Sequence, residues 1–414
     1  MRRPLARRLV AALAISVPTA QAYPLDAAAR TGIRRLAGYR LVHEGKIKGV
    51  GKLPPGALLS SGQVVLRLKG TNDSFDLGPA TRADPALQAG LEKIFAARDP
   101  SYSVALLDIS DPRRPRYAAL RPDQKLIPGS VGKLLVATGL LDAVARAHPS
   151  VEAREKLLRE AVVAADRFAF RDGKTAPFYN EGDPAVVNRA MRPGDRFNLW
   201  EWLDHMLSQS SNAAGSVTWK QAMLVRRFES RYPVSAEEEA AFFRDTPKPE
   251  LSRLSLETLE DPLRAAGLDP SRLRLGTFFT KGASAVVPGT ASYATAHELL
   301  RWLIRMEQGK LVDEWSSLEL KRLIYFARPR YRYVSSPALA RAAVFFKSGS
   351  LFECRPEPGY TCKAYAGNDV NLMHSVAVVE SGKKVYLVAI MSNVLRLNSA
   401  QEHQTIAGEM ERLW

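Results

Sequence analysis

The chain has 414 residues, 46% hydrophobic and 25% charged, with a formal net charge of +16. These proportions exclude a disordered polymer and allow two or three lobes around a sizeable core. The basic balance favours anionic surroundings such as cell-wall polymers or lipid head groups, but the arginines are not stacked with aromatics in one run, so no nucleic-acid partner is indicated.

Arg2, Arg3, Arg7 and Arg8, the apolar run Leu9 to Val17 and the triplet Ala20-Gln21-Ala22 read as a secretory signal peptide over residues 1–22. That run is too short to span a bilayer, and no later run is long and apolar enough. The mature chain is therefore expected to be exported, periplasmic or secreted, without a transmembrane segment and with a net charge of +12.

Residues 23–82 mix Gly, Pro and basic residues and read as an N-terminal extension packed on the main body. They hold one strand-like run, Gln63 to Leu68. A helix is expected from Asp84 to Ala97, with Leu87, Leu91, Ile94 and Phe95 on one face. Strands follow at Tyr102 to Ile109 and Arg116 to Leu120. From Ser130 to about Ala342 the pattern is mostly helical, most clearly from Gly289 to Arg305. Ala343 to Lys347, Leu372 to Val379 and Val385 to Ser392 are β-rich, the last two joined by a turn at Glu380 to Lys384, and a final helix runs from Ser399 to Trp414. Strands at both ends of a helical middle predict an α+β (α/β sandwich) architecture: a five-stranded antiparallel sheet flanked by N- and C-terminal helices, beside an all-helical lobe.

Cys354 and Cys362 enclose a Pro-Gly turn, which in an oxidising compartment suits a disulfide. Two free thiols or a metal pair are the alternatives, but no Cys or His cluster completes a metal site. No cofactor is called for.

Three short segments carry chemistry. In Pro128-Gly129-Ser130-Val131-Gly132-Lys133, a turn leads into helical spacing, so Ser130 and Lys133 leave the same face of a first helical turn. A serine hydroxyl needs a nearby base to become a nucleophile, and a neutral lysine can be one. Alone, Ser130 reads more readily as an N-cap, and Ser381 to Lys384 repeats the Ser-x-x-Lys spacing in a hairpin turn. The second segment is Ser208-Gln209-Ser210-Ser211-Asn212, and the third is Lys347-Ser348-Gly349-Ser350 on a strand.

Ser-x-x-Lys, Ser-x-Asn and Lys-Ser-Gly in this order resemble the serine β-lactamase (class A-like) and penicillin-binding D,D-peptidase family. The likeness covers residues 83–414, with a sheet lobe at 83–128 and 342–414 and a helical lobe at 129–341. It implies a serine hydrolase of amide bonds, acylated on Ser130, with Lys133 as its proton partner and Ser210 passing a proton to the leaving nitrogen. Asn212 would orient Lys133 and the substrate, Lys347 and Ser348 would hold a carboxylate, and Gly349 would let the substrate lie against the strand. The backbone N–H groups of Ser130 and Ser350 would form the oxyanion hole. The implied substrate is a β-lactam, or a peptidoglycan stem peptide for a D-alanyl-D-alanine carboxypeptidase or transpeptidase. A non-catalytic peptidoglycan-binding module is a further alternative, and oligomeric state is not legible. The family's deacylating Glu-x-x-x-Asn element has only a displaced counterpart, Asp245 to Ser252, in which Glu250 is the candidate base. Glu257, Glu260 and Asp261 are others. His374 and Glu353 read as structural.

Overall fold

The computed structural model describes residues 25–49, 53–78, 80–170, 172–325 and 330–414; the expected leader, residues 1–22, lies outside them. The N-terminal segment carries α1 (Ala28–Thr31) and α2 (Arg34–His43). It is fastened by apolar contacts and by charge. Ile33 and Leu36 enter the main core, and buried Arg35 makes a two-pronged ion pair with buried Asp204. Arg34 pairs with Glu201 at 2.8 Å, and Arg30 bridges Glu155 and Glu319 at 2.9 and 2.8 Å. A guanidinium taken out of water needs such a partner.

The run from Gln63 to Leu68 does not form the expected strand. Val64 and Leu68 satisfy its apolar pattern by entering the core, and its backbone finds partners other than a neighbouring strand. The Leu68 and Lys69 N–H groups donate to the Glu307 carbonyl at 3.1 and 3.0 Å. Lys321 Nζ donates to the Val65 carbonyl at 2.7 Å.

Asp84 caps α3 (Pro85–Phe95) by accepting from the Leu87 N–H, and Leu87, Leu91, Ile94 and Phe95 are buried as the spacing requires. Two strands follow, β1 (Ser103–Asp108) and β2 (Arg116–Leu120). The middle of the chain holds α4 (Lys133–Ala147), α5 (Val151–Glu160), β3 (Val162–Ala164), β4 (Thr175–Phe178), β5 (Val187–Ala190) and β6 (Arg196–Asn198). It continues through α6 (Leu199–Leu207), α7 (Asn212–Phe228), α8 (Ala236–Asp245), α9 (Lys248–Ala265), β7 (Leu273–Arg274), α10 (Lys281–Val286), β8 (Tyr293–Ala294), α11 (Ala296–Glu307) and α12 (Glu314–Ile324). This lobe is thus not purely helical: β3 with β6, β4 with β5, and β7 with β8 form small antiparallel ribbons. The helix expected from Gly289 starts at Ala296 instead. Tyr293 and Ala294 are paired with β7, and Thr295 caps the helix by accepting from the Glu298 N–H.

The chain closes with β9 (Ala343–Glu353), β10 (Val370–Ser381), β11 (Lys384–Asn393) and α13 (Ala400–Met410). The five long strands form one antiparallel sheet in the order β2-β1-β11-β10-β9. Val104, Leu106, Val388 and Ile390 face α3 and α13, while Ala105, Leu107, Leu387 and Ala389 face the helical lobe. Burial on both faces is why these strands read as nearly unbroken apolar runs. Gly382, at φ +63°, turns the β10–β11 hairpin. Beyond β9, Cys354 and Cys362 are joined in a disulfide. No helix among the described residues is long and apolar enough to cross a membrane.

Candidate active site

The first motif forms a tight turn, Gly129–Gly132, feeding directly into α4. Buried Val131, Leu134 and Leu135 anchor it. Its close approach to β9 explains two glycines. Gly129 sits at φ +52°, and a Cβ on Gly349 would lie 2.5 Å from the Pro128 carbonyl oxygen. His374 fastens the same corner through Nε2 and the Ile127 carbonyl, 2.9 Å apart. Burial lowers this imidazole's pKa to about 4.

Lys133 is fully buried on the first turn of α4. Its Nζ lies 2.8 Å from Ser130 Oγ, 2.8 Å from Asn212 Oδ1 and 3.2 Å from the Ser210 carbonyl oxygen. The Phe279 ring covers it, with its centroid 4.2 Å away. Gly215 on α7 makes room for this stem, since a Cβ there would lie 3.0 Å from Lys133 Cε and 2.7 Å from the Phe279 ring.

Ser210 links α6 to α7 in a left-handed conformation, φ +58°, which costs a non-glycine residue about 1–3 kcal/mol. The next residue, Ser211, caps α7 by accepting from the Ala214 N–H. Asp172 completes that helix start: its Oδ2 accepts from the Asn212 and Ala213 N–H groups at 2.7 and 2.9 Å and from Ser211 Oγ at 2.8 Å. A carboxylate here also complements the helix dipole. Lys347, buried on β9, donates to Ser210 Oγ at 2.9 Å and to the Ser348 carbonyl at 2.9 Å.

The three motifs therefore converge: Ser130, Lys133, Ser210, Asn212 and Lys347 form one connected set, with Ser348, Gly349 and Ser350 on the adjoining strand. Two amines face Ser210 Oγ. Beside Lys347, the second amine facing Ser210 Oγ is Lys174, at 3.4 Å, and its main bond is to the Ser210 carbonyl at 2.9 Å. Lys133 contacts only that carbonyl. Asp172, Lys174, Tyr331 and Arg332 escaped the sequence reading. Tyr331 shares a 2.7 Å hydrogen bond with Ser348 Oγ, and Arg332 donates to the Gly349 carbonyl at 3.0 Å and to Ser350 Oγ at 3.1 Å. Only the polar loop character of Asp172-Gly173-Lys174 and the alternation Arg330-Tyr331-Arg332-Tyr333 mark them in sequence.

The amines are crowded. Burial, then the charges of Lys174 and Lys347, hold Lys133 well below the ordinary lysine value. Lys347 is lowered by burial, then by Lys174 and Arg332. Lys174 falls to about 8, chiefly through burial, with Arg332 also acting against its charge and Asp172 supporting it. Two cavities of about 520 and 440 Å³ meet at Ser130, Lys174, Ser350 and Tyr365. The larger holds the polar groups of Ser210, Arg332 and Ser348. The smaller is apolar, with Leu275, Phe278, Phe279 and Phe352.

Glu250 is not brought to this site. It is exposed on the first turn of α9 and lines neither cavity. Pro247 and Pro249 start a helix there rather than a loop, where an acidic side chain suits the positive end of the helix dipole. Glu257, Glu260 and Asp261 lie on the same helix and are engaged by arginines.

No family model matches the sequence, and no curated protein matches it. Solved structures do match. An acyl-enzyme complex of a PBP-A variant with penicillin G is similar at 12% identity with a TM-score of 0.51, over 81% of this chain and 97% of that one. A β-lactamase from Chitinophaga pinensis is similar at 15% identity with a TM-score of 0.50, over 80% of this chain and 98% of that one. At these identities the likeness establishes the fold, that of serine β-lactamases and penicillin-binding proteins.

Proposed function

We propose that this chain is a serine amidohydrolase that acylates Ser130 with a β-lactam, or with the D-alanyl-D-alanine end of a peptidoglycan stem, and releases the acyl group slowly. The observation that carries this reading is the arrangement around Lys133 Nζ. Two of its three close partners, Asn212 Oδ1 and the Ser210 carbonyl, can only accept. A neutral amine spends its two N–H groups on them and keeps its lone pair for the Ser130 hydroxyl, 2.8 Å away.

Lys133 then takes the Ser130 proton as the oxygen attacks the carbonyl carbon. The Ser130 and Ser350 N–H groups are assigned to the developing oxyanion. Ser210 gives its proton to the departing nitrogen and is resupplied by Lys347. Lys347, Ser348 and Arg332 supply the positive and hydroxyl groups for a substrate carboxylate. No cofactor enters this sequence.

Slow release is supported by the surroundings of the nucleophile. Among the described residues, the groups against Lys133 are hydroxyl, amide, carbonyl and the Phe279 ring. Asp172, the acidic group that acts on Lys133, is engaged by α7. A deacylating water would have no free carboxylate base, a behaviour closer to a penicillin-binding peptidase than to an efficient β-lactamase. The leader read over residues 1–22 would bring the chain to such substrates outside the cytoplasm.

The test is intact-mass analysis after incubation with a fluorescent penicillin, alongside turnover of a chromogenic cephalosporin. One adduct per chain on Ser130, with a burst and little further turnover, is expected. Rapid sustained turnover would assign a β-lactamase. Absence of any adduct, with muropeptide binding retained, would overturn the enzymatic reading in favour of a wall-binding module.

A further inference from the structure

The amine of Lys174 is not called for by the three motifs. It enters from the irregular segment before β4 and shares one acceptor, the Ser210 carbonyl, with Lys133: the two Nζ atoms lie 2.9 and 3.2 Å from the same oxygen. Two ammonium groups on one carbonyl repel strongly where water is scarce. One of the pair must give up its charge, and the surroundings decide which.

Lys133 is fully enclosed, its stem held between Gly215 and the Phe279 ring, with no carboxylate bonded to it among the described residues. Lys174 is partly open to both cavities and stands two residues from Asp172. The charged groups facing the pair from each packed element are Asp172 on the same segment, Lys347 on β9 and Arg332 before β9, with Tyr331 and Tyr365 lining the cleft. Asp172 alone among these is acidic, and it supports Lys174 more directly.

Resting on the acyl-serine reading above, we propose that Lys174 is a positioning residue: its ammonium, held on the Ser210 carbonyl, keeps Lys133 uncharged and thereby ready to accept the Ser130 proton. The proton balance is simple. Lys133 enters acylation as a free amine and gains the proton that Ser130 loses, while Ser210 gives its proton to the leaving nitrogen and takes one from Lys347. Lys174 neither gains nor loses a proton in this step. Its influence is exerted on the starting state, and Lys174 is the first charged neighbour that acts against protonation of both Lys133 and Lys347.

The test compares Lys174→Met, which removes the charge at similar length, with Lys174→Arg, which retains it. In protein labelled with ¹³C at the lysine ε-carbon, the Lys133 resonance is followed against pH, with Lys133→Met used for assignment. In Lys174→Met the Lys133 transition is expected to move up by at least about one pH unit, and in Lys174→Arg to stay near its wild-type position. In parallel, the acidic limb of the acylation rate with a fluorescent penicillin should move up by the same interval, a tenfold loss at a fixed pH on that limb. A Lys133 transition that does not move in Lys174→Met overturns the inference, whatever the rate does. A wild-type protein that penicillin never labels refutes the proposed activity instead, and the resonance titration still decides the part played by Lys174.

Discussion

Two regions of this molecule bury cations in opposite ways. Where the N-terminal segment meets the body, every buried positive group named above has a carboxylate against it. Arg35 is paired with Asp204, and Lys321, fully enclosed, contacts Glu307 at 2.7 Å and Glu380 at 2.8 Å. In the cleft, Lys133 and Lys347 are equally enclosed yet, among the described residues, meet hydroxyls, carbonyls, an amide and an aromatic ring, with no carboxylate bonded to either. A paired buried charge holds parts together, and an unpaired one must become neutral or be held at a cost. The contrast separates fastening from chemistry without reference to any relative.

The comparison is broken most forcefully at Lys133. Replacing it by Met should lower the acylation rate by about a hundred- to ten-thousand-fold, the span of a lost general base. Labelling by a fluorescent penicillin measures it. The same substitution at Lys321 should leave labelling of folded protein intact but remove about 3–5 kcal/mol of stability, because buried Glu307 loses its cation while Glu380 keeps only Arg67. Urea unfolding measures that loss, and equal destabilisation by Lys133→Met would erase the distinction.

The distinction is sharpened by pH. Lys133 binds its proton less tightly folded than unfolded, so between its depressed value and the ordinary 10.5 the unfolded chain carries more protons. Stability should therefore rise with pH across that window. The penalty is fully present below the depressed value and is gone near 10.5, and Lys133→Met should flatten the rise. Acylation should climb over the lower end of the same window as the amine loses its proton. The smallest expected effect is at Glu250: Glu250→Gln should change both acylation and release by no more than about twofold, the scale of an exposed substitution worth ~0.5 kcal/mol. A large fall in release alone would restore Glu250 as a base.

The motifs were legible because each packs its chemistry into a few consecutive residues whose local form is forced. Ser130 and Lys133 share a helical turn, and Lys347 to Ser350 lie on a strand buried on both faces at its start. Lys174 and Arg332 were not legible, since nothing periodic governs them and their function depends on where an irregular segment docks. Glu250 misled because the loop pattern laid on Asp245 to Ser252 competed with a Pro-initiated helix, and the helix prevailed. Gln63 to Leu68 misled for a related reason: an apolar alternation needs a buried side, and a helix end provided it without a partner strand.

Asp204, the carboxylate that receives Arg35, stands on α6, and its own carbonyl accepts from the Ser208 hydroxyl at 2.6 Å, two residues before Ser210. A protein trimmed to residues 83–414 would strand an anion inside the helix that delivers Ser210. Such a shortened chain should lose the geometry at Ser210 for want of a distant arginine, with Ser130, Lys133 and Lys347 all still in its sequence.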